Sequence, residues 1–247
     1  MKNILMTIEY DGTNYCGWQI QKNGPSIQGV LTETISSLLG ENIIIPGSGR
    51  TDSGVHALGQ KANFIYSGKF PQTKLLNAIN TYLPDDIKIV DLEETNEDFH
   101  AQYSAKEKTY YYHFYVSRIK HPLIDRYSVN VPYSIGDFDY DLAKQSLNCL
   151  LGTIDLKPFS STGSNIKNTI RTIFDIDLEK NNENFTLKIT ANGFLYNTVR
   201  IIVGTLVKIG LHQLPPDTFN MMLQTKRRNL GGVTYPPRGL FLVDVKY

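Results

Sequence analysis

The sequence predicts an α+β fold of two halves that share one order of elements, strand-helix-strand-strand-helix-strand. Three observations predict it. Apolar residues alternate in short runs, these runs are separated by stretches with helical spacing of apolar residues, and Gly, Pro and Asn mark the places where one period gives way to the other.

In the first half, KNILMTIEY at 2–10 puts Ile4, Met6, Ile8 and Tyr10 on one side of a strand. Ser26 caps a helix whose apolar face carries Ile27, Val30, Leu31, Thr34, Ile35, Leu38 and Leu39, and Gly40 lies just past its end. A short strand over 42–46, a loop, a strand over 60–66, a helix over 73–83 stopped by Pro84, and a strand over 87–92 follow. The second half repeats the pattern. A tyrosine-rich strand covers 108–116, a helix 139–151, and two strands cover 169–179 and 185–191. Helices at 196–211 and 216–224 and a last strand at 240–246 complete it.

This is the ferredoxin-like, RRM-like split arrangement, in which helices cover one face of a mainly antiparallel sheet. Two such sheets laid edge to edge make one central sheet with an inter-domain cleft, a favoured place for a binding site. The expected domains are 1–104 and 105–247, a division that 247 residues with 41% hydrophobic content can support. No apolar leader and no membrane-length apolar run occurs, so a cytoplasmic protein is expected. Cys16 and Cys149 have no CxxC partner and the histidines have no HExxH spacing, so neither a disulfide framework nor a metal is expected.

The net charge of +1 conceals local groups of cations. Lys106, Lys108, Arg118, Lys120 and Arg126 form one, Lys167 and Arg171 a second, and Lys226, Arg227 and Arg228 a third. Each reads as a phosphate-facing strip or as a solvated face.

The stretch with most chemistry is Gly47-Ser48-Gly49-Arg50-Thr51-Asp52-Ser53-Gly54-Val55-His56. Its only acid, Asp52, stands between Arg50 and His56, which favours the ionised form and suits a nucleophile or base. The same composition also serves an ordinary turn or helix cap. Neither GxxxxGK[ST] nor GxGxxG occurs, so a nucleotide P-loop is not expected. Lys106 to Tyr115 interleaves cations with aromatics, as stacking on an unpaired base requires, and tyrosine-rich strands also pack cores. Arg200 enters an apolar helix and calls for a carboxylate; Asp52, Glu33, Asp155 and Asp244 are the candidates. The segment 232–240 is stiff at Pro236 and Pro237 and can present Leu240 to a flat base.

Four motifs together resemble the TruA family of tRNA pseudouridine synthases: GSGRTDSGVHALGQ (47–60), FHAQYSAKEKTYYY (99–112), NGFLYNTVRIIVGTLVKIG (192–210) and PPRGLFL (236–242). The resemblance covers nearly the whole chain, and the GRTDSGVHA core is its most specific part. Ser48 and Ser53 stand where the family pattern usually has alanine, and Thr198 where it has methionine.

The resemblance implies that Asp52 is the catalytic aspartate. Arg50 would help displace or hold the flipped nucleotide, Arg200 would pair with the aspartate, Tyr110 would stack on the base and Leu240 would line the pocket. Thr51 and His56, beside Asp52 in the loop, are expected to adjoin the substrate, and from the distribution of charge Lys106, Lys108, Arg118, Arg227 and Arg228 are expected to meet the RNA backbone. The resemblance further implies isomerisation of uridine at tRNA positions 38, 39 and 40 of the anticodon stem-loop, by a homodimer. The reaction is redox-neutral and needs no ATP, so no cofactor is expected. Two other readings stay open: a paralogue acting on another structured RNA such as rRNA, and a non-catalytic RNA-binding or RNA-folding module.

Overall fold

The alternation in KNILMTIEY forms strand β1, Lys2–Tyr10, in which Ile4, Met6, Ile8 and Tyr10 are buried. It is seen in a computed structural model that describes residues 1–163 and 166–247. The chain divides into two units, residues 1–106 with 241–247, and residues 107–240.

In the first unit β1 is flanked by two antiparallel strands, β2 (His56–Tyr66) and β3 (Ile87–Thr95). The last strand, β9 (Leu240–Lys246), runs parallel to the start of β2 through the pairs His56↔Phe241 and Ala57↔Leu242. Helix α1, Ile27–Leu39, begins where the Ser26 side chain accepts the Gly29 N–H and ends at Gly40 in the left-handed conformation, φ 66°. Helix α2, Gln72–Tyr82, packs on α1 and β3, and the two helices bury Ile27, Leu31, Ile35, Leu75 and Ile79. Full burial of each such side chain stabilises by roughly 1.5–3 kcal/mol.

The strand expected over 42–46 does not form. Its backbone groups go to α1 instead: Ile43 N–H donates to Ser36 Oγ (3.1 Å), and Ile45 O accepts from Gln28 Nε2 (2.9 Å). Pro46 has no N–H to give to a ladder. What remains is one bridge, Gly47↔Ala62. The strand expected over 60–66 also starts earlier, at His56, so that residue lies on the sheet rather than in the loop.

In the second unit, β4 (Glu107–Val116) pairs antiparallel with β8 (Asn184–Ala191), β8 with β7 (Ile170–Asn181), and β7 with β6 (Gly152–Asp155). A short strand, β5 (Val129–Val131), runs parallel to the end of β4. Neither β5 nor β6 is long enough to show an alternation in sequence. Helix α3 covers only Tyr140–Ser146 and tightens into a 3-10 turn, Leu147–Leu150, where one long helix is expected. Helix α4, Thr198–Gly210, is buried along nearly its whole length, and α5, Thr218–Thr225, packs beside it. Gly204 in α4 admits the backbone of 231–235: a Cβ there would lie 1.9 Å from Val233 O. The last strand is β9, Leu240–Lys246. The chain is thus α+β, as expected.

Candidate active site

Asp52 stands at the first corner of a turn. Its carbonyl accepts the Val55 N–H at 3.1 Å, and Gly54 takes φ 75° while Ser53 keeps a negative φ, the pattern of a type II turn. The Asp52 side chain is half-buried, and Arg50 two residues earlier is exposed.

The residues leading into Asp52 are held from below. Ser48 Oγ donates to Gln60 Oε1 (2.6 Å), Gln60 Nε2 donates to Gly49 O (3.0 Å), and Thr51 Oγ1 meets Tyr10 OH at 2.7 Å. Thr51 O also accepts the Trp18 N–H (3.0 Å), and Ser53 Oγ donates to Tyr15 O (3.1 Å). Gly17, at φ 93°, lets the chain pass close under the loop, since a Cβ there would lie 2.5 Å from Thr51 O. Burial pushes the Tyr10 phenol well above its usual range, so it stays protonated and able to donate.

His56 turns inward. Its ring is 1% exposed and stacks on Phe241 at 4.7 Å. Its Nδ1 lies 3.0 Å from Asp11 Oδ1 and 3.1 Å from the Gly12 N–H. The tautomer decides which of the two it bonds: a protonated Nδ1 donates to Asp11, and a bare one accepts from Gly12.

In the second unit Tyr110, Tyr112 and Phe114 share the buried face of β4. Tyr110 meets Phe194 edge-on at 5.1 Å, and Tyr112 OH donates to Pro236 O (2.7 Å). Burial raises the Tyr112 phenol well above its ordinary value, with Tyr235 adding to the shift. Arg200 lies in the first turn of α4. Its Nε donates to Tyr235 O (2.6 Å) and its Nη1 to Asn197 Oδ1 (2.6 Å). Asp155, one of the carboxylates considered for Arg200, instead pairs with Lys226 at 3.0 Å and accepts from Thr169 Oγ1 at 2.6 Å. Leu240, which opens β9, is 6% exposed.

The expected backbone-binding cations differ in setting. Lys106, Arg118 and Arg227 are exposed, and Lys108 and Arg228 half-buried. Burial, reinforced by the charge of Arg171, lowers the Lys108 pKa. Arg228 reaches Thr234 Oγ1 at 3.4 Å. Among the described residues no three His, Cys, Asp or Glu side chains gather as metal ligands, and no helix is long and apolar enough to cross a membrane.

Tyr10, Gln60 and Trp18 escape a reading of the sequence for function, although they grip the Asp52 loop. Gln60 leaves one trace: an amide within an apolar strand run, here fully buried. The three positions that depart from the family pattern all use their hydroxyls. Ser48 and Ser53 bond as above, and Thr198 Oγ1 accepts the Leu195 N–H (3.1 Å).

Residues 6–104 and 147–247 match the sequence model described as tRNA pseudouridine synthase. The chain belongs to the tRNA pseudouridine synthase family. Family members named tRNA pseudouridine synthase A are similar to it from end to end. The protein of Caldicellulosiruptor saccharolyticus is 45% identical over 249 residues, that of Caldicellulosiruptor bescii 46% over 247, and that of Thermoanaerobacter sp. 42% over 247. Each alignment covers all of both chains. A solved structure titled as a Cbf5-Nop10-Gar1 complex aligns with 95% of this chain and 59% of its own at 11% identity and TM-score 0.37, and adds nothing to the assignment.

Proposed function

We propose that the chain converts uridine to pseudouridine in tRNA, at positions 38, 39 and 40 of the anticodon stem-loop, with Asp52 as the reacting carboxylate. The observation that supports this reading is the loop itself. A family-matching GRTDSGVHA segment holds a half-buried carboxylate at the corner of a turn whose preceding residues are bonded to the sheet. The rest of the proposal follows the resemblance. Arg50 holds the everted nucleotide, Tyr110 stacks on the base, Leu240 lines the pocket, and Arg200 answers the charge of the carboxylate. Thr51 and His56 adjoin the substrate. The protein works in the cytoplasm as a homodimer without a nucleotide cofactor, and exposed cations such as Lys106, Arg118 and Arg227 meet phosphates.

The chemistry balances without any external reagent. The bond from N1 to C1′ breaks, the uracil turns, C5 bonds to C1′, and C5 gives up a proton while N1 gains one. An ionised aspartate serves either as a nucleophile on the sugar or pyrimidine, or as the base that deprotonates the sugar in a glycal route. Extruding the base costs a few kcal/mol, which stacking and phosphate contacts offset.

Asp52→Asn is the test. Product from a tRNA transcript is expected to vanish while RNA affinity stays within about threefold, because the amide preserves the shape and removes the nucleophile. Turnover near the wild-type level would reject the assignment. Mapping pseudouridine in total RNA from cells with and without the protein checks the site, and modification confined to rRNA would reject the anticodon stem-loop.

A further inference from the structure

We propose that Tyr10 and Gln60 are positioning residues that hold the Asp52 loop in its working geometry through Thr51 and Ser48. The inference rests on Asp52 being the reacting group. The loop needs such support, because Gly47, Gly49 and Gly54 make it pliable and beyond the bridge at Gly47 it joins no ladder. Misplacing a reacting group by about 1 Å costs on the order of a hundredfold in rate.

Tyr10 and Gln60 are suited to this work because they belong to neighbouring antiparallel strands, paired at Ile8↔Gln60 and, past a bulge, at Tyr10↔Ala57. Both are shut off from solvent, at 3% and 0% exposure. Three bonds hold the Gln60 amide: its oxygen accepts from Ser48 Oγ (2.6 Å) and the Lys61 N–H (3.1 Å), and its nitrogen donates to Gly49 O. Tyr10 then fixes Thr51, the residue next to Asp52. The sheet therefore grips residues 48, 49 and 51, and the turn bond to Val55 closes the other side. Apolar residues would fill the same volume without fixing the direction of the chain, so the polar network is spent on geometry.

Trp18 is a built-in reporter. It is the only tryptophan, it is 1% exposed, its backbone N–H donates to Thr51 O, and its ring lies against Gly47. The test compares Tyr10→Phe with Tyr66→Phe, which deletes another fully buried phenol of the same sheet, one that donates to Phe70 O at 3.1 Å. Tyr10→Phe is expected to lower kcat on a tRNA transcript about tenfold with KM within about twofold, and to raise acrylamide quenching of Trp18. Tyr66→Phe is expected to alter neither. Ser48→Ala, a milder cut in the same network, is expected to lower kcat about threefold.

Unchanged kcat in Tyr10→Phe, or an equal loss in Tyr66→Phe, would overturn the proposal. Unchanged quenching would overturn it whatever the activity. If Asp52→Asn remains active, the catalytic assignment fails by itself, whereas the quenching still reports on the clamp. Should Tyr10→Phe fold poorly, Ser48→Ala decides by the same two measurements.

Discussion

The phenol of Tyr10 and the hydroxyl of Thr51 meet at 2.7 Å one residue before Asp52, and each is less than a tenth exposed. A buried polar pair loses more when one partner is removed than when both are replaced by apolar groups of similar shape. Tyr10→Phe with Thr51→Val is therefore expected to destabilise by less than the sum of the single changes, with a coupling of about 1 kcal/mol. Urea unfolding of the four proteins measures it, and strict additivity would show that the contact contributes nothing.

Gly17 and Gly40 both take positive φ, 93° and 66°, but only Gly17 has backbone against it. Gly17→Ala is expected to cost more than about 2 kcal/mol, from strain together with the clash on Thr51 O. Gly40→Ala, facing open space, is expected to cost about 1 kcal/mol. Equal losses in chemical denaturation would argue against the close approach.

Arg200→Lys keeps the charge and loses the fork that bonds Tyr235 O and Asn197 Oδ1. A loss of about 1–2 kcal/mol in stability is expected, because a lysine cannot serve both acceptors in the same directions. With Arg200 in its proposed role, kcat falls about tenfold as well. Preserved stability and turnover in paired unfolding and kinetic assays would mean that charge alone suffices.

His113 gives a pH dependence with a definite sign. Burial lowers its folded pKa below 6.5, so on acidification the unfolded chain takes up the proton first. Its share of stability is complete above 6.5 and is lost as the pH falls toward the folded value. Between about pH 7 and pH 5 the thermal midpoint of the wild type should fall further than that of His113→Gln. Parallel curves would remove His113 from the account.

Arg227 and Arg228 separate in the structure, one exposed and one half-buried beside Thr234. Arg227→Ala is expected to reduce the slope of log affinity for tRNA against log salt by about one. Arg228→Ala is expected to act mainly on stability. An unchanged slope for Arg227→Ala would mark that cation as facing only solvent.

Features with short-range causes were legible in the sequence. The alternation of β1 and the Ser26 and Gly40 ends of α1 depend on neighbours within a few residues, and the Asp52 loop announced itself by composition and motif. The segment 42–46 was not legible because its partners, Ser36 and Gln28, are side chains of a folded helix. His56 reads as a neighbour of Asp52 along the chain, yet its ring meets Asp11, Gly12 and Phe241, the last remote in sequence. Spacing along the chain does not give the direction of a buried ring. The grip of Tyr10 and Gln60 is invisible for the same reason, since it exists only once β1 and β2 are in register.

The strand that begins at Leu240 pairs with the start of β2, and the chain from Phe241 onward belongs to the first unit. Order of synthesis and order of completion are therefore reversed. Residues 107–240 leave the ribosome as one uninterrupted stretch, whereas the first unit waits for the strand that follows them before its sheet is whole. A nascent chain stalled short of Phe241 would leave His56, at the start of β2, without its stacking ring.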